Sequence, residues 1–258
     1  MTVTAVPIVV QFILSKRSGN RRQSVKGEIE IIQREYGSQL AQRALELEAI
    51  KLSPGAPFQW ASGYWMPIYN DNRRLLVDYK VRSLVAQGFE ALIKALNIEV
   101  ENVAGTATAG IPHATTLADL LHKPLSYVRS SGKGHGLRNL IEGLPPHGSY
   151  QQAKVVLIED LISTGGSSIR AVEAIRESEG EVSTCLAIFT YGLEASEKAF
   201  SALDPICNLV TLFDYHLLIA TAETIWYVNQ EEGKLLKEWR EDPFGWGEKH
   251  GFMPDVRG

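Results

Sequence analysis

From residue 28 to residue 51 apolar side chains recur at helical spacing, through Ile32, Leu40, Ala44, Leu45, Leu47 and Ile50, and the pattern stops at Ser53-Pro54-Gly55-Ala56-Pro57. Two prolines and a glycine within five positions end a helix, because proline lacks the amide proton a helix needs and glycine loses the most freedom on ordering. Residues 58–69 then gather Phe58, Trp60, Tyr64, Trp65 and Tyr69 with poor alternation, which predicts a short hairpin or cap. Helical spacing returns over about 78–96. Beyond it short apolar runs alternate with helical stretches: strand 100–105, helix 111–121, strand 125–129, a long polar loop to 148, strand 154–159, helix 167–177, strand 182–190, helix 195–203 and strand 208–213, with closing helices from about 214. Strands separated by helices need crossover connections, so the fold class is α/β, a mainly parallel central sheet with helices on both faces and a small N-terminal cap or hood. No repeat or linker divides the chain. The expected organisation is an extension over 1–27, poorly ordered, then one domain over 28–258, its cap at about 28–98 and its core at about 99–242.

Composition adds exclusions. The 258 residues are 45% hydrophobic, enough for one substantial core and unlike a disordered or fibrous chain. A formal net charge of -4 gives no general attraction to nucleic acid or to an anionic membrane, so neither is expected as a partner and phosphate chemistry has to come from a local site. Cys185 and Cys207 lie in apolar surroundings and read as buried thiols, which points to the cytoplasm. Residues 6–14 are mostly apolar and are followed by Lys16, Arg17, Arg21, Arg22 and Lys26. A secretory signal carries its charge ahead of the apolar run, and this run is too short to span a bilayer. An ordering-poor extension or an artefact of the start site is expected there, with an organelle-targeting peptide as the alternative.

Candidate chemistry concentrates where the all-apolar Val155-Val156-Leu157-Ile158 meets Glu159 and Asp160. Such a strand is buried on both faces, and its carboxyl end opens where α/β proteins bind ligands. Ser163, Thr164, Gly165, Gly166 and Ser167 follow, so that backbone amides and hydroxyls can wrap a phosphate at the positive end of a helix. Carboxylates repel phosphate, and the pair is therefore expected to accept hydrogen bonds from ribose hydroxyls while a 5-phosphate rests on the loop. The chain lacks Gly-x-x-x-x-Gly-Lys-Ser/Thr, which argues against a Walker-type nucleotide site. Two capping acids and a glycine turn would be the plainer alternative.

This stretch resembles the phosphoribosyl-pyrophosphate signature of the type I phosphoribosyltransferases. Gly105-Thr106-Ala107-Thr108-Ala109-Gly110-Ile111-Pro112-His113-Ala114 resembles the same family's pyrophosphate-binding turn. Tyr127-Val128-Arg129-Ser130-Ser131-Gly132-Lys133-Gly134-His135-Gly136, with Asn139-Leu140-Ile141-Glu142-Gly143, resembles the mobile catalytic loop of orotate phosphoribosyltransferases, and residues 58–72 match their substrate region. The resemblance covers about 40–242. It implies a Rossmann-like fold and a pentosyltransferase that joins the phosphoribosyl group of 5-phosphoribosyl-1-pyrophosphate to orotate in pyrimidine biosynthesis. In the implied roles Lys133, His135 and Asp160 are catalytic. The phosphoribosyl pyrophosphate meets Arg129, Lys133, His135, Glu159, Asp160, Ser163, Thr164, Gly165, Gly166, Ser167, Thr108 and Ala109, and orotate meets Thr164, Tyr69, Ser62 and Gly63. The resemblance further implies Mg²⁺ held mainly by the substrates, with no direct protein ligand, and a homodimer with shared active sites. Many members carry lysine at the positions of Ala61, Trp65 and Ser130; Trp65 puts a large indole beside the expected base site. Open alternatives are Tyr69 as a core aromatic, Lys133 and His135 as solvated loop residues, transfer to another base, and a regulator that senses the sugar pyrophosphate.

Overall fold

The computed structural model describes residues 19–131, 140–146 and 148–254. Helix α1 (Gly19–Ile32) passes through a π-helical turn (Gln33–Gly37) into α2 (Ser38–Glu46). The widened turn has a cause in packing: Gly37 lies against the Leu212 carbonyl with no room for a Cβ, and Gln33 Nε2 donates to the Thr211 carbonyl at 2.9 Å. The single helix expected over 28–51 is thus broken, starts earlier and ends earlier. Residues 19–27, expected to be poorly ordered, are helical, and Val25 is buried; residues 1–18 lie outside the described residues.

The cap region folds as two small antiparallel pairs, β1 (Ile50–Leu52) with β4 (Ile68–Asn70) and β2 (Phe58–Gln59) with β3 (Trp65–Met66). Helix α3 (Tyr79–Leu96) starts at Asp78, whose side chain accepts from the Lys80 amide at 2.9 Å. The alternating part runs β5 (Asn102–Thr106), α4 (Gly110–Leu121), β6 (Leu125–Val128), β7 (Ile141–Glu142), β8 (Lys154–Ile162), α5 (Gly166–Glu177), β9 (Glu181–Thr190), α6 (Glu194–Ser201) and β10 (Asn208–Asp214). Helices α7 (Tyr215–Thr224), α8 (Gln230–Glu241) and α9 (Trp246–Lys249) follow.

The main sheet has the order β10-β9-β8-β5-β6-β7 and is parallel except for β7. The chain steps outward from β5 to β6, then returns to β8 on the other side of β5. The carboxyl ends of β5 and β8 therefore flank the point where strand order reverses, where open α/β sheets bind ligands. One face of the sheet packs Ile158 and Phe213 with Leu40, Met66, Phe89 and Trp239; the other packs Leu157 with Val172, Ile175 and Phe200. Strand β8 runs on to Ile162, so the acids lie inside its last turn of pairing and not beyond its end.

Candidate active site

Successive residues of a strand face opposite ways, yet the Glu159 side chain bends back so that the two carboxyls of β8 stay in contact. Glu159 is buried on the α5 side, where its Oε2 accepts from Ser168 Oγ at 3.0 Å and Ser167 Oγ at 3.5 Å and its Oε1 accepts from the Asp160 amide at 3.1 Å. Its oxygens hold the first turn of α5. Asp160 is on the cap side. Asn72 Nδ2 donates to its backbone carbonyl at 2.8 Å, and its carboxylate feels Arg73. Burial pushes both carboxyls above the ordinary range, and the charge of Asp160 adds to the rise at Glu159. The two acids expected to face the ribose thus stand side by side, with Glu159 buried and engaged by Ser167 and Ser168 and Asp160 half-buried.

Beyond the acids Ser163 is half-buried and Thr164 exposed, and Gly165 takes a left-handed φ of 87° that a side chain would strain. Gly166 and Ser167 are exposed, and a Cβ on Gly166 would meet nothing within 4 Å. The first amides of α5 have no earlier turn to bond, so this open end presents donors. At the neighbouring junction Thr108 is exposed and Ala109 half-buried, and the Ala107–Thr108 peptide is cis. Thr106 Oγ1 donates to the Ile158 carbonyl at 2.9 Å and ties the two junctions together.

Tyr69 is 43% exposed with its ring tilted against Phe58 at 5.8 Å, so it is not a core aromatic. Ser62 is exposed at the β2–β3 tip, where Gly63 has φ 84° and donates its amide to the Trp60 carbonyl at 2.8 Å. Arg129 Nη1 stands 3.4 Å from Glu142 on β7. Lys133 and His135 lie outside the described residues. The Trp65 Nε1 donates to the Met253 carbonyl at 3.0 Å and its ring lies 5.9 Å from Phe252. Sequence reasoning gave no individual role to Asn72, which holds the Asp160 carbonyl, or to Tyr191, whose amide bonds the Ile162 carbonyl. The polar run Asn70-Asp71-Asn72-Arg73 straight after the aromatic cap could have flagged the first, and the position just past β9 the second.

This architecture is that of the phosphoribosyltransferases: residues 75–202 match the phosphoribosyl transferase domain. The chain is 49% identical over 209 residues to the orotate phosphoribosyltransferase of Listeria innocua serovar 6a, covering 81% of this chain and 97% of that one. It is 45% identical over 212 residues to the one from Porphyromonas gingivalis, covering 82% and 98%. The crystal structure of orotate phosphoribosyltransferase from Aeropyrum pernix superposes with a TM-score of 0.61 at 29% identity, over 74% of this chain and 99% of that one. The chain belongs to the orotate phosphoribosyltransferase family.

Proposed function

We infer that the chain transfers the phosphoribosyl group of 5-phosphoribosyl-1-pyrophosphate to orotate, forming orotidine 5-monophosphate and pyrophosphate on the way to UMP. The observation that carries this reading is the junction after β8, where the half-buried Asp160 at the carboxyl end of the strand is followed six residues later by a helix start left open at Gly166. A sugar with a phosphate at one end needs that pairing of acceptor and donors. Family membership supports orotate as the base.

The bond from ribose C1 to the pyrophosphate oxygen breaks, a bond from C1 to an orotate nitrogen forms, and that nitrogen releases its proton to solvent. The sugar becomes electron-deficient on the way, as in glycoside hydrolysis. In this reading the amides from Thr164 to Ser167 hold the 5-phosphate, assisted by the Ser163 and Ser167 hydroxyls. Asp160 accepts from a ribose hydroxyl, and Glu159 secures the loop through Ser168. Thr108 and Ala109 meet the pyrophosphate, while Arg129, Lys133 and His135 neutralise charge on it as it leaves. Tyr69 beds the base, with Ser62, Gly63 and Thr164 as polar contacts. Mg²⁺ would be held mainly by oxygens of the substrates, with no direct protein ligand, and when present offsets leaving-group charge. The proposal extends to a homodimer with shared sites, a cap at about 28–98 for the base with a core at about 99–242 for the sugar phosphate, and a cytoplasmic setting, supported by the free, buried Cys185 and Cys207. Among the described residues no helix is long and apolar enough to cross a membrane.

The test mixes the protein with the sugar pyrophosphate and Mg²⁺ and follows the loss of orotate absorbance, with uracil and purines in parallel. Turnover of orotate is expected; turnover of a purine with none of orotate would overturn the reading.

A further inference from the structure

Helix α8 delivers a cation to the carboxyl end of β9. Gly192, two residues past that strand, has a left-handed φ of 65°, and its carbonyl accepts a hydrogen bond from Nη2 of Arg240. A Cβ on Gly192 would lie 3.2 Å from that Nη2 and 3.8 Å from Nε. The guanidinium therefore lies over the glycine, in space that any side chain at 192 would contest. Its Nε is buried without a partner among the described residues. Glu197 senses the charge of Arg240, yet the two form no ion pair. Other arginines of this end of the molecule are compensated: Arg73 is clasped by Asp71 at 2.6 and 3.0 Å, and Arg129 faces Glu142 at 3.4 Å. A half-buried guanidinium that gives one N–H to a carbonyl keeps unused donors and an unpaired charge, an arrangement that costs stability unless an anion completes it.

The position of this group relates it to the base side of the site. The Tyr191 amide donates to the Ile162 carbonyl at 3.2 Å, which holds the end of β9 against the end of β8. The Tyr191 ring lies between Trp60 of the β2–β3 hairpin at 5.6 Å and Trp239, the residue before Arg240, at 5.7 Å. One aromatic stack thus connects the hairpin tip with Ser62 and Gly63 to the helix that carries Arg240. Orotate differs from uncharged pyrimidines by one carboxylate, and a planar fork of N–H donors matches that group.

We propose that Arg240 is the substrate-binding cation that reads the carboxylate of orotate and sets the preference for orotate over neutral pyrimidines. The proposal rests on the orotate-transfer reading above.

Arg240→Gln removes the charge and keeps donors; Arg240→Lys keeps the charge and loses the fork. Steady-state kinetics on both variants and the unmutated protein, with orotate and its uncharged carboxamide as substrates, separate the possibilities. Arg240→Gln should raise KM for orotate about ten- to a hundredfold, the loss expected for one charge-assisted hydrogen bond. KM for the sugar pyrophosphate should stay within about twofold, the preference for orotate over the carboxamide should vanish, and Arg240→Lys should recover part of both. A folded Arg240→Gln protein with unchanged orotate KM, or with both KM values raised alike, would overturn the proposal and leave Arg240 as a fastener of the Gly192 loop. If Arg240→Gln does not fold, Arg240→Lys with an unaltered orotate preference decides against the proposal in the same way. Absence of orotate turnover in the unmutated protein would instead defeat the functional reading itself.

Discussion

The junctions after β5 and β8 look alike as sequence, each a short run of small residues with glycine at the helix start, yet the two do opposite things with that glycine. At Gly110 an added Cβ would lie 2.6 Å from the Ile158 carbonyl, and at Gly105 it would lie 2.9 Å from both Ala114 Cβ and Ile111 Cα. Those positions are empty of side chain so that α4 can abut the sheet. At Gly166 an added Cβ would meet nothing within 4 Å. That position is empty toward the outside, where an incoming group can approach the amides. The glycine at the first helix start is closed on the protein, and that at the second is open to solvent.

Substituting the two glycines gives the largest expected contrast. Gly110→Ala presses a methyl into main chain and should cost roughly 3 kcal/mol, about 6–12 °C of melting temperature for a chain of this size. Gly166→Ala should cost about 0.5 kcal/mol or less. Thermal unfolding of both proteins measures the difference, and equal losses would erase the contrast.

Next in size is Asp160→Asn, which should weaken sugar-pyrophosphate binding by roughly 1.5–3 kcal/mol, about ten- to a hundredfold, without unfolding the protein. Unchanged affinity by calorimetry would mean that Asp160 does not face the ribose.

Glu159 sharpens the comparison through pH. Burial first, and the charge of Asp160 second, raise its pKa above the ordinary 4.5. The folded state then holds this proton more tightly than the unfolded chain. Its stabilisation is full below the unfolded pKa and is lost as pH rises through the folded one. Glu159→Gln should flatten that fall of melting temperature between about pH 5 and 9, and an unaltered slope would show that Glu159 is ionised throughout.

A modest effect belongs to Trp65→Phe. It gives up the bond to the Met253 carbonyl, about 0.5–1.5 kcal/mol of stability, and should leave KM for orotate unchanged because the indole points to the C-terminal segment. A shifted KM would return Trp65 to the base site.

The alternating strands and helices were legible because their buried residues repeat with clear periods, and the helices over 110–121 and 166–177 fall within one residue of expectation. Elements set by contacts distant in sequence were not legible. The π turn at Gln33–Gly37 exists because Gly37 meets Leu212, and β1 and β7 are three and two residues long, too short for a period to show. In the site, residue types pointed to the β8 junction, but the burial of Glu159 inside the strand depends on where the strand ends. The sequence suggested that it stops at the acids; pairing with β9 carries it on to Ile162. The contribution of α8 was hidden as well, because Arg240 and Gly192 are 48 positions apart.

The most direct test of the difference between the two junctions is backbone amide NMR of the unmutated protein, titrated separately with ribose 5-phosphate and with pyrophosphate. Ribose 5-phosphate should shift the amides of residues 164–168 and leave those of 107–110 nearly still, while pyrophosphate with Mg²⁺ should move 107–110. Ribose 5-phosphate that shifts 107–110 and leaves 164–168 in place would contradict the assignment of the open junction as the phosphate cradle.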